Sequence, residues 1–150
     1  MDQANPGAGG RGRTQAVCYR DPSGREPVNL FIDALPPAAQ QTIDDQIDLL
    51  NGLPAGAPPL AFPHSSQVRG PLRELRCHYG RTLYRILYRR SASFLLLLHA
   101  IEKRTGRIPQ SDIAIAAERF TDFRRRMDAV RRSGPRAAGH DAPPKRQARH

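Results

Sequence analysis

Arginine and lysine side chains are concentrated between Gln67 and Arg107, and their chemistry is suited to binding phosphate. This segment carries ten Lys and Arg residues against two Glu residues, a net charge of +8. Residues 16–66 have a net charge of −4, and residues 108–128 hold four basic and four acidic residues. Because a guanidinium group stays charged and pairs with two phosphate oxygens at once, the segment predicts a polyanion site.

The composition of the whole chain narrows the class of partner. The 150 residues carry a net charge of +10, which favours nucleic acid or another acidic partner, with a membrane surface second. No apolar run approaches the roughly 20 residues that cross a bilayer, and residues 1–13 lack the apolar core of a signal peptide. We therefore expect a cytoplasmic protein with no membrane partner.

The cysteine and histidine residues give no sign of a metal or redox centre. Cys18 and Cys77 are isolated from each other in the sequence, which gives no reason to infer a disulfide. The five His and two Cys residues show no ligand spacing, so we predict no metal and no other cofactor.

Three strand-like runs lie within this basic segment. The middle run places its tyrosines and Ile86 on one face and Arg85 on the other, which is typical of a half-buried strand. Gly80 precedes it in a hairpin connection that favours a positive φ. The last run is apolar on both faces except for His99, as in a central strand. The runs predict an antiparallel meander over residues 71–78, 82–90 and 94–101.

Helical patterns surround the meander. Apolar residues recur at helical spacing in three segments, and Pro27 and Pro109 suit the first positions of two of them. A segment dense in Pro and Gly predicts a loop before the meander. We predict a strand at residues 16–20, helices at 27–35, 37–50 and 109–127, and a loop at 53–66.

This order, strand–helix–helix–strand–strand–strand–helix, predicts one α+β domain over residues 16–128. We expect a small antiparallel sheet with the helices packed mainly on one face, and with the other face open or half covered by the last helix. Residues 1–15 are rich in Gly, Ala and Arg, and residues 129–150 are basic and rich in Pro and Ala. Both ends are therefore predicted to be disordered tails.

Four stretches of the chain resemble one protein family in their order and spacing. They are LRELR at residues 72–76, GRTLYRILY at 80–88, LLLLHAIEKRTGRIP at 95–109 and IAIAAERFTDF at 113–123. Together they resemble the RelE/HigB superfamily of bacterial type II toxins, and most closely its phage-derived, HigB-like branch. The resemblance covers residues 17–127 and implies a RelE-like fold.

The resemblance implies the toxin component of a type II toxin–antitoxin system, acting as a ribosome-dependent, metal-independent mRNA endonuclease. Such toxins enter the ribosomal A site and cut the mRNA there. A neighbouring antitoxin, often a helix-turn-helix protein, holds them silent, so the implied partners are that antitoxin, the ribosome and mRNA. In this chemistry the 2′-hydroxyl attacks its own phosphate. The site then needs a base, an acid for the leaving 5′ oxygen, and cations that stabilise the phosphoryl charge.

Two strand arginines are the first catalytic candidates that the resemblance implies. Arg85 matches the Arg of the family's YR strand motif, and we expect it to stabilise the phosphate. The alternative is an ordinary solvated strand Arg. Arg76 matches an Arg on the neighbouring strand, and its alternative is a salt bridge to Glu74 or Glu102.

The loop after the third strand and the hairpin edge supply the other candidates. Lys103 and Arg104 match the basic pair that follows the last strand in RelE-like members. Lys103 could act as the base if nearby Arg charges depress its pKa, and positioning of phosphate is the alternative. His78 is a candidate proton donor. Predicted RNA or ribosome contacts, each with an ordinary surface role as its alternative, are Arg73, Arg81, Arg89 and Arg107.

The remaining aromatic and histidine side chains suggest structural roles. We expect His99 to be a hydrogen-bonded core residue and the tyrosines of the meander to be core or rim residues. Some RelE-like enzymes place a catalytic Tyr on the C-terminal segment, whereas the last helix here has Phe120 and Phe123 and no Tyr, so the acid and base stay open. Two other hypotheses remain, a non-enzymatic module that binds RNA or the ribosome and a structural protein whose Arg-bearing face recruits an acidic helix.

Overall fold

A computed structural model describes residues 12–102 and 106–130 of the chain. The elements in chain order are β1 (Gln15–Cys18), α1 (Pro27–Asp33), α2 (Pro37–Asn51), β2 (Ser65–Arg69), β3 (Leu72–Tyr79), β4 (Thr82–Ser91), β5 (Phe94–Glu102) and α3 (Gln110–Val130). This arrangement confirms the predicted α+β class and is consistent with a small RelE-like fold. The three strands of the predicted meander and the three helices lie close to their predicted bounds.

The five strands form one sheet in the order β1-β5-β4-β3-β2. Strands β2 to β5 pair antiparallel with their neighbours, and β1 runs parallel to β5. Gly80 connects β3 to β4 with a φ of 59°, the positive value that the hairpin needs. The meander is therefore the centre of the sheet, with one strand added at each edge.

Both faces of the sheet are covered, but unequally. Helices α1 and α2 pack on one face, where Ile32 and Ile43 meet Ile86 of β4. Helix α3 packs on the opposite face, which we call the α3 face, where Phe120 contacts a core that includes Leu96 of β5. Helix α3 packs mainly against β5 and β4. It therefore does not cover the α3 face of β2 and β3.

Three details of the fold differ from the sequence prediction. Strand β2 begins inside the predicted loop and was not predicted. The sheet is mixed because β1 pairs parallel to β5. Residues 13–15 were predicted to lie in a disordered tail, but Arg13 forms a bridge with Pro54, and Thr14 is buried with its hydroxyl donating to the Leu50 carbonyl at 2.8 Å. The tail predictions for residues 1–11 and 131–150 lie outside the described residues.

The expected hydrogen-bonded role of His99 is confirmed. His99 is half-buried and hydrogen-bonded, with its Nε2 2.7 Å from the Asp112 carboxylate on α3. No disulfide joins Cys18 and Cys77, which both lie within the described residues. Within residues 12–102 and 106–130, no helix is both long enough and apolar enough to cross a membrane.

Candidate functional site

A basic cleft opens on the α3 face, between β2, β3, β4 and the loop that joins β5 to α3. Its volume is about 390 Å³. The polar residues that line it include three arginines but a single carboxylate, and they come from four separate parts of the chain. They include Arg69 of β2, Glu74 of β3, Arg85 of β4, and Arg107 and Gln110 at the start of α3.

The wall of the cleft is built on a buried ion pair between β3 and β4. Arg85 donates from Nε to Glu74 Oε1 at 2.6 Å and from a terminal nitrogen to Oε2 at 3.3 Å. The two side chains are only 7% and 4% exposed. Strand alternation predicted that Arg85 would lie opposite the Tyr84 face, and it does, but it lies beneath other groups and not in open solvent.

Glu74 also holds two further donors. Arg76 lies directly opposite Arg85 in the strand register, and it donates to Glu74 Oε2 at 3.2 Å. The Ser66 hydroxyl of β2 donates to the same oxygen at 2.5 Å. Two cations facing each other across a strand pair would repel, and the carboxylate between them offsets that repulsion. The salt bridge considered for Arg76 is therefore present, with Glu74 as its partner.

The pKa of Glu74 reflects this set of donors. Burial alone would raise the pKa of the carboxyl, but the hydrogen bonds from Arg85 and Ser66 and the charges of Arg85 and Arg76 outweigh burial and lower it. Glu74 is therefore ionised at neutral pH. A carboxylate of lowered pKa with three donors is a weak proton acceptor, so Glu74 organises the cations better than it could serve as a base.

Arg85 also fixes the loop that leaves β5. Its remaining terminal nitrogen donates to the Gly106 carbonyl at 2.9 Å. Gly106 has a φ of 85°, a conformation that favours glycine, and Arg107 follows it at the rim of the cleft. The guanidinium group thus ties β3, β4 and this loop together, while Arg85 still borders the cleft.

The exposed cations of the cleft are Arg69 and Arg107. Arg69 comes from the end of β2, and Arg107 comes from the loop before α3. In the parts of the chain that the structure describes, neither has an ion-pair partner. Their guanidinium groups are therefore available to an anion from solvent, whereas most donors of Arg85 are engaged.

The other described residues that the sequence predicted for the site are not part of the cleft lining. Arg73 lies on the α1–α2 side, half-buried, where it donates to the Ser65 hydroxyl at 3.1 Å and to the Leu60 carbonyl at 3.1 Å. Arg89 lies over the Phe120 ring of α3 with its guanidinium carbon 4.0 Å from the ring centroid. Arg81 and His78 are exposed at the β3–β4 hairpin. Lys103 and Arg104 lie outside the described residues.

Sequence reasoning did not name Arg69 as a site residue and treated Glu74 only as a possible partner of Arg76. Arg69 was missed because β2 was missed. The available signal was its position before Gly70-Pro71, where a turn brings β2 beside β3. Glu74 could have been found from its spacing, because it lies two residues before Arg76 and so shares its face.

The arrangement suits binding and stabilising a phosphate more clearly than it suits proton transfer. Arg69, Arg85 and Arg107 present cations at one cleft, which can stabilise negative charge on phosphoryl oxygens. The described lining contains no His and no Tyr. Within residues 12–102 and 106–130, no group of three or more His, Cys, Asp or Glu side chains could hold a metal ion.

The fold and the cleft define a small basic α+β protein of RelE-like architecture. Residues 30–121 match the family model described as Phage derived protein Gp49-like (DUF891). This match covers more than half of the chain and includes the described cleft residues, so the protein belongs to the Gp49-like family, which is a RelE/toxin-like family. A comparison with curated proteins found no significant match.

Proposed function

We propose that this protein is the toxin component of a type II toxin–antitoxin system, of the HigB-like branch, and that it cleaves mRNA on the ribosome. The observation that carries the proposal is the convergence of Arg69, Arg85 and Arg107 on one cleft in a protein of a RelE/toxin-like family. The net charge of +10 supports binding to a phosphate backbone. The cognate partner would be a helix-turn-helix antitoxin, and the site of action the cytoplasm.

In this proposal the 2′-hydroxyl oxygen of the RNA attacks the adjacent phosphorus, and the bond from phosphorus to the 5′ oxygen breaks. The hydroxyl proton passes to a base and the leaving oxygen takes a proton from an acid. The products are a 2′,3′-cyclic phosphate and a free 5′-hydroxyl. Arg69 and Arg107 contact the phosphoryl oxygens, and Arg85 supports them from the cleft wall. Lys103 is the candidate base that takes the 2′-hydroxyl proton, and His78 is the candidate acid that protonates the leaving 5′ oxygen.

The test is regulated expression in a bacterial host, with the 5′ ends of cellular mRNA mapped after induction. Growth arrest with cuts at codon boundaries is the expected result, and co-expression of the neighbouring helix-turn-helix gene should restore growth. In a reconstituted translation reaction, an mRNA with a 2′-deoxynucleotide at the cut position should stay intact. A chelator of divalent cations should leave the chemical step unchanged, provided that the ribosomes stay assembled.

A matched pair of variants links activity to the cleft. Arg69→Gln with Arg107→Gln removes two exposed cations from the cleft and should abolish arrest. Arg25→Gln with Arg90→Gln removes two exposed cations from elsewhere and should leave arrest intact. Equal loss in both variants would contradict the assignment of the cleft, because net charge alone would then explain the effect.

A second candidate function is a non-enzymatic module that binds RNA or the ribosome. The described cleft lining favours it, because that lining has no His or Tyr and its carboxylate is held by three donors. This alternative predicts salt-sensitive binding to ribosomes, and growth arrest without new mRNA ends. Mapping of mRNA ends therefore separates the two functions.

A further inference from the structure

Phe62 is an exposed aromatic ring that contacts Arg76, which in turn pairs with Glu74 in the lining of the basic cleft. It is 68% exposed, compared with 47% for Leu30 and 41% for Leu49, the next most exposed large apolar side chains among the described residues. A single exposed apolar side chain is common on protein surfaces, so the surroundings of the ring, and not its exposure alone, indicate whether it has a function. Proteins that bind single-stranded RNA use such rings to stack unpaired bases.

The backbone around Phe62 is fixed. The His64 amide donates to the Ala61 carbonyl at 2.9 Å, which closes the turn that carries the ring. The His64 carbonyl accepts a hydrogen bond from the Arg76 amide of β3 at 2.8 Å. The His64 ring lies 3.2 Å from the side-chain oxygen of Gln46 on α2. The ring is thus presented by a turn that is tied to the sheet and to a helix.

A chain of charged contacts joins Phe62 to the cleft. The Arg76 guanidinium carbon lies 5.0 Å from the centroid of the Phe62 ring. Arg76 shares Glu74 with Arg85, and Arg85 borders the cleft. Among the described residues, Arg76 Nε is buried without a hydrogen-bond partner. The ring therefore contacts the first of a row of cations that leads through Glu74 to the cleft, and its chain neighbours Ala61 and Pro63 are exposed apolar residues.

We propose that Phe62 stacks an unpaired base of the RNA whose phosphates lie in the basic cleft. The inference rests on the proposed function and adds a base-binding residue to it. The phosphates of the strand would pair with the cations of the cleft, and an unpaired base of the same strand would stack on the exposed aromatic ring that contacts Arg76. Because every base has a π face, the contact contributes affinity at one position of the strand without selecting its sequence.

The chain has no tryptophan, so Phe62→Trp creates a fluorescent reporter at this position alone. A short single-stranded RNA should quench its emission, because a stacked base quenches indole fluorescence. Inorganic polyphosphate, which offers phosphates without bases, should bind in competition with RNA but leave the emission unchanged. Leu30→Trp is the matched control, since α1 lies on the opposite face of the sheet, and it should respond to neither probe.

Binding of a labelled single-stranded RNA measured by fluorescence anisotropy gives the second readout. Phe62→Ala and Phe62→Leu should each weaken binding by about 5- to 100-fold, the range expected for one stacked base. Phe62→Trp should bind at least as well as the wild type, and Leu30→Ala should bind as the wild type does. The salt dependence should be the same in all four, because no phosphate contact is lost.

The outcomes separate this inference from the function on which it rests. If the wild type binds neither RNA nor ribosomes, both fail. If the wild type binds RNA but Phe62→Ala binds equally well and Phe62→Trp is not quenched, the stacking inference is wrong and the function stands. If Phe62→Leu retains the affinity that Phe62→Ala loses, the ring makes an apolar contact and not a base stack, which also overturns the inference.

Discussion

Two clusters of arginine and carboxylate lie on the α3 face, and only one of them has more cations than carboxylates. In the basic cleft, Glu74 faces Arg69, Arg85 and Arg107. In the groove between the end of β1 and α3, three acids, Asp21, Glu118 and Asp122, face Arg119 and Arg125. The first region has more cations than carboxylates, and the second does not. An excess of cations can bind an anion from solvent, whereas cations that are paired with carboxylates mainly hold elements of the fold together.

The two clusters also differ in burial. The carboxylate and guanidinium of the Glu74–Arg85 pair are 4% and 7% exposed, whereas Asp122 and Arg126 are 13% and 39% exposed. In the second cluster Asp122 accepts a hydrogen bond from the Tyr19 hydroxyl at 2.7 Å, which ties α3 to the chain after β1. The buried pair should therefore dominate stability, and the exposed one should contribute little.

The largest expected effect comes from breaking the buried pair. Arg85→Ala leaves Glu74 buried with its main partner removed, and it should destabilise the protein by about 3–5 kcal/mol. Urea denaturation of the purified protein measures this change. The double variant Glu74→Leu with Arg85→Met should recover part of the loss, because it removes both members of the buried pair, although Arg76, whose side chain is 16% exposed, then loses Glu74 as its partner. If Arg85→Ala lowers the free energy of unfolding no more than Arg126→Ala does, the buried pair does not dominate stability and this prediction is wrong.

Acid should act on the same pair. The folded state lowers the pKa of Glu74, so its contribution is present above the unfolded value of 4.5 and is lost as pH falls through the lower folded value. Stability measured from pH 6 downward should fall less steeply in Glu74→Gln than in the wild type. Asp122 also has a lowered pKa, chiefly through its hydrogen bond with Arg126, so Asp122→Asn is the comparison. Identical acid profiles for Glu74→Gln and the wild type would contradict this prediction.

The sequence predicted the elements with strong local patterns and missed the pairings that depend on distant residues. The alternation of β4 and the helical spacing in α3 are local, and both elements were found. β2 is a five-residue edge strand with the sequence SSQVR, whose polar residues carry almost no β pattern. β1 has four residues, and its parallel partner β5 comes about 80 residues later in the chain, so no local signal fixes its direction.

The candidate site was predicted in part for the same reason. Alternation put Arg85 opposite the Tyr84 face, the family resemblance named Arg76 on the neighbouring strand, and the structure brings both to Glu74. Alternation could not say that this face is covered, because burial of Arg85 depends on a loop carbonyl from Gly106, 21 residues away. Arg73 was predicted to be a surface contact for RNA, yet it is half-buried and donates hydrogen bonds to Ser65 and Leu60. Which cations remain exposed was thus decided by tertiary packing.

A smaller effect is expected in the second cluster at high pH. Burial and the neighbouring Asp122 raise the pKa of Tyr19 to about 12. A raised pKa means that the contribution of the neutral phenol is present below pH 10 and is lost as pH rises through 12. Tyr19→Phe should lose about 1 kcal/mol at neutral pH, the typical value of one hydrogen bond. It should also lose less stability than the wild type between pH 9 and 11, and an unchanged alkaline profile would count against this contact.

The smallest effect on stability should come from the cations that matter most for binding. Arg69→Gln and Arg107→Gln alter exposed side chains without ion-pair partners among the described residues, so each should change the free energy of unfolding by less than about 0.5 kcal/mol. Binding to a single-stranded RNA should nevertheless weaken at low salt in both variants. Each lost phosphate contact should reduce the slope of log affinity against log salt by about 0.7.

Arg125→Gln supplies the control for this last prediction. Arg125 is 70% exposed and pairs with Asp122 at 3.0 Å, so its removal takes the same charge from the balanced cluster. The RNA affinity and the salt slope should then stay close to those of the wild type. If Arg125→Gln reduced the slope as much as Arg69→Gln does, RNA would be bound by the overall charge of the protein. The excess of cations over carboxylates in the cleft would then have no special role, because every exposed arginine would contribute alike.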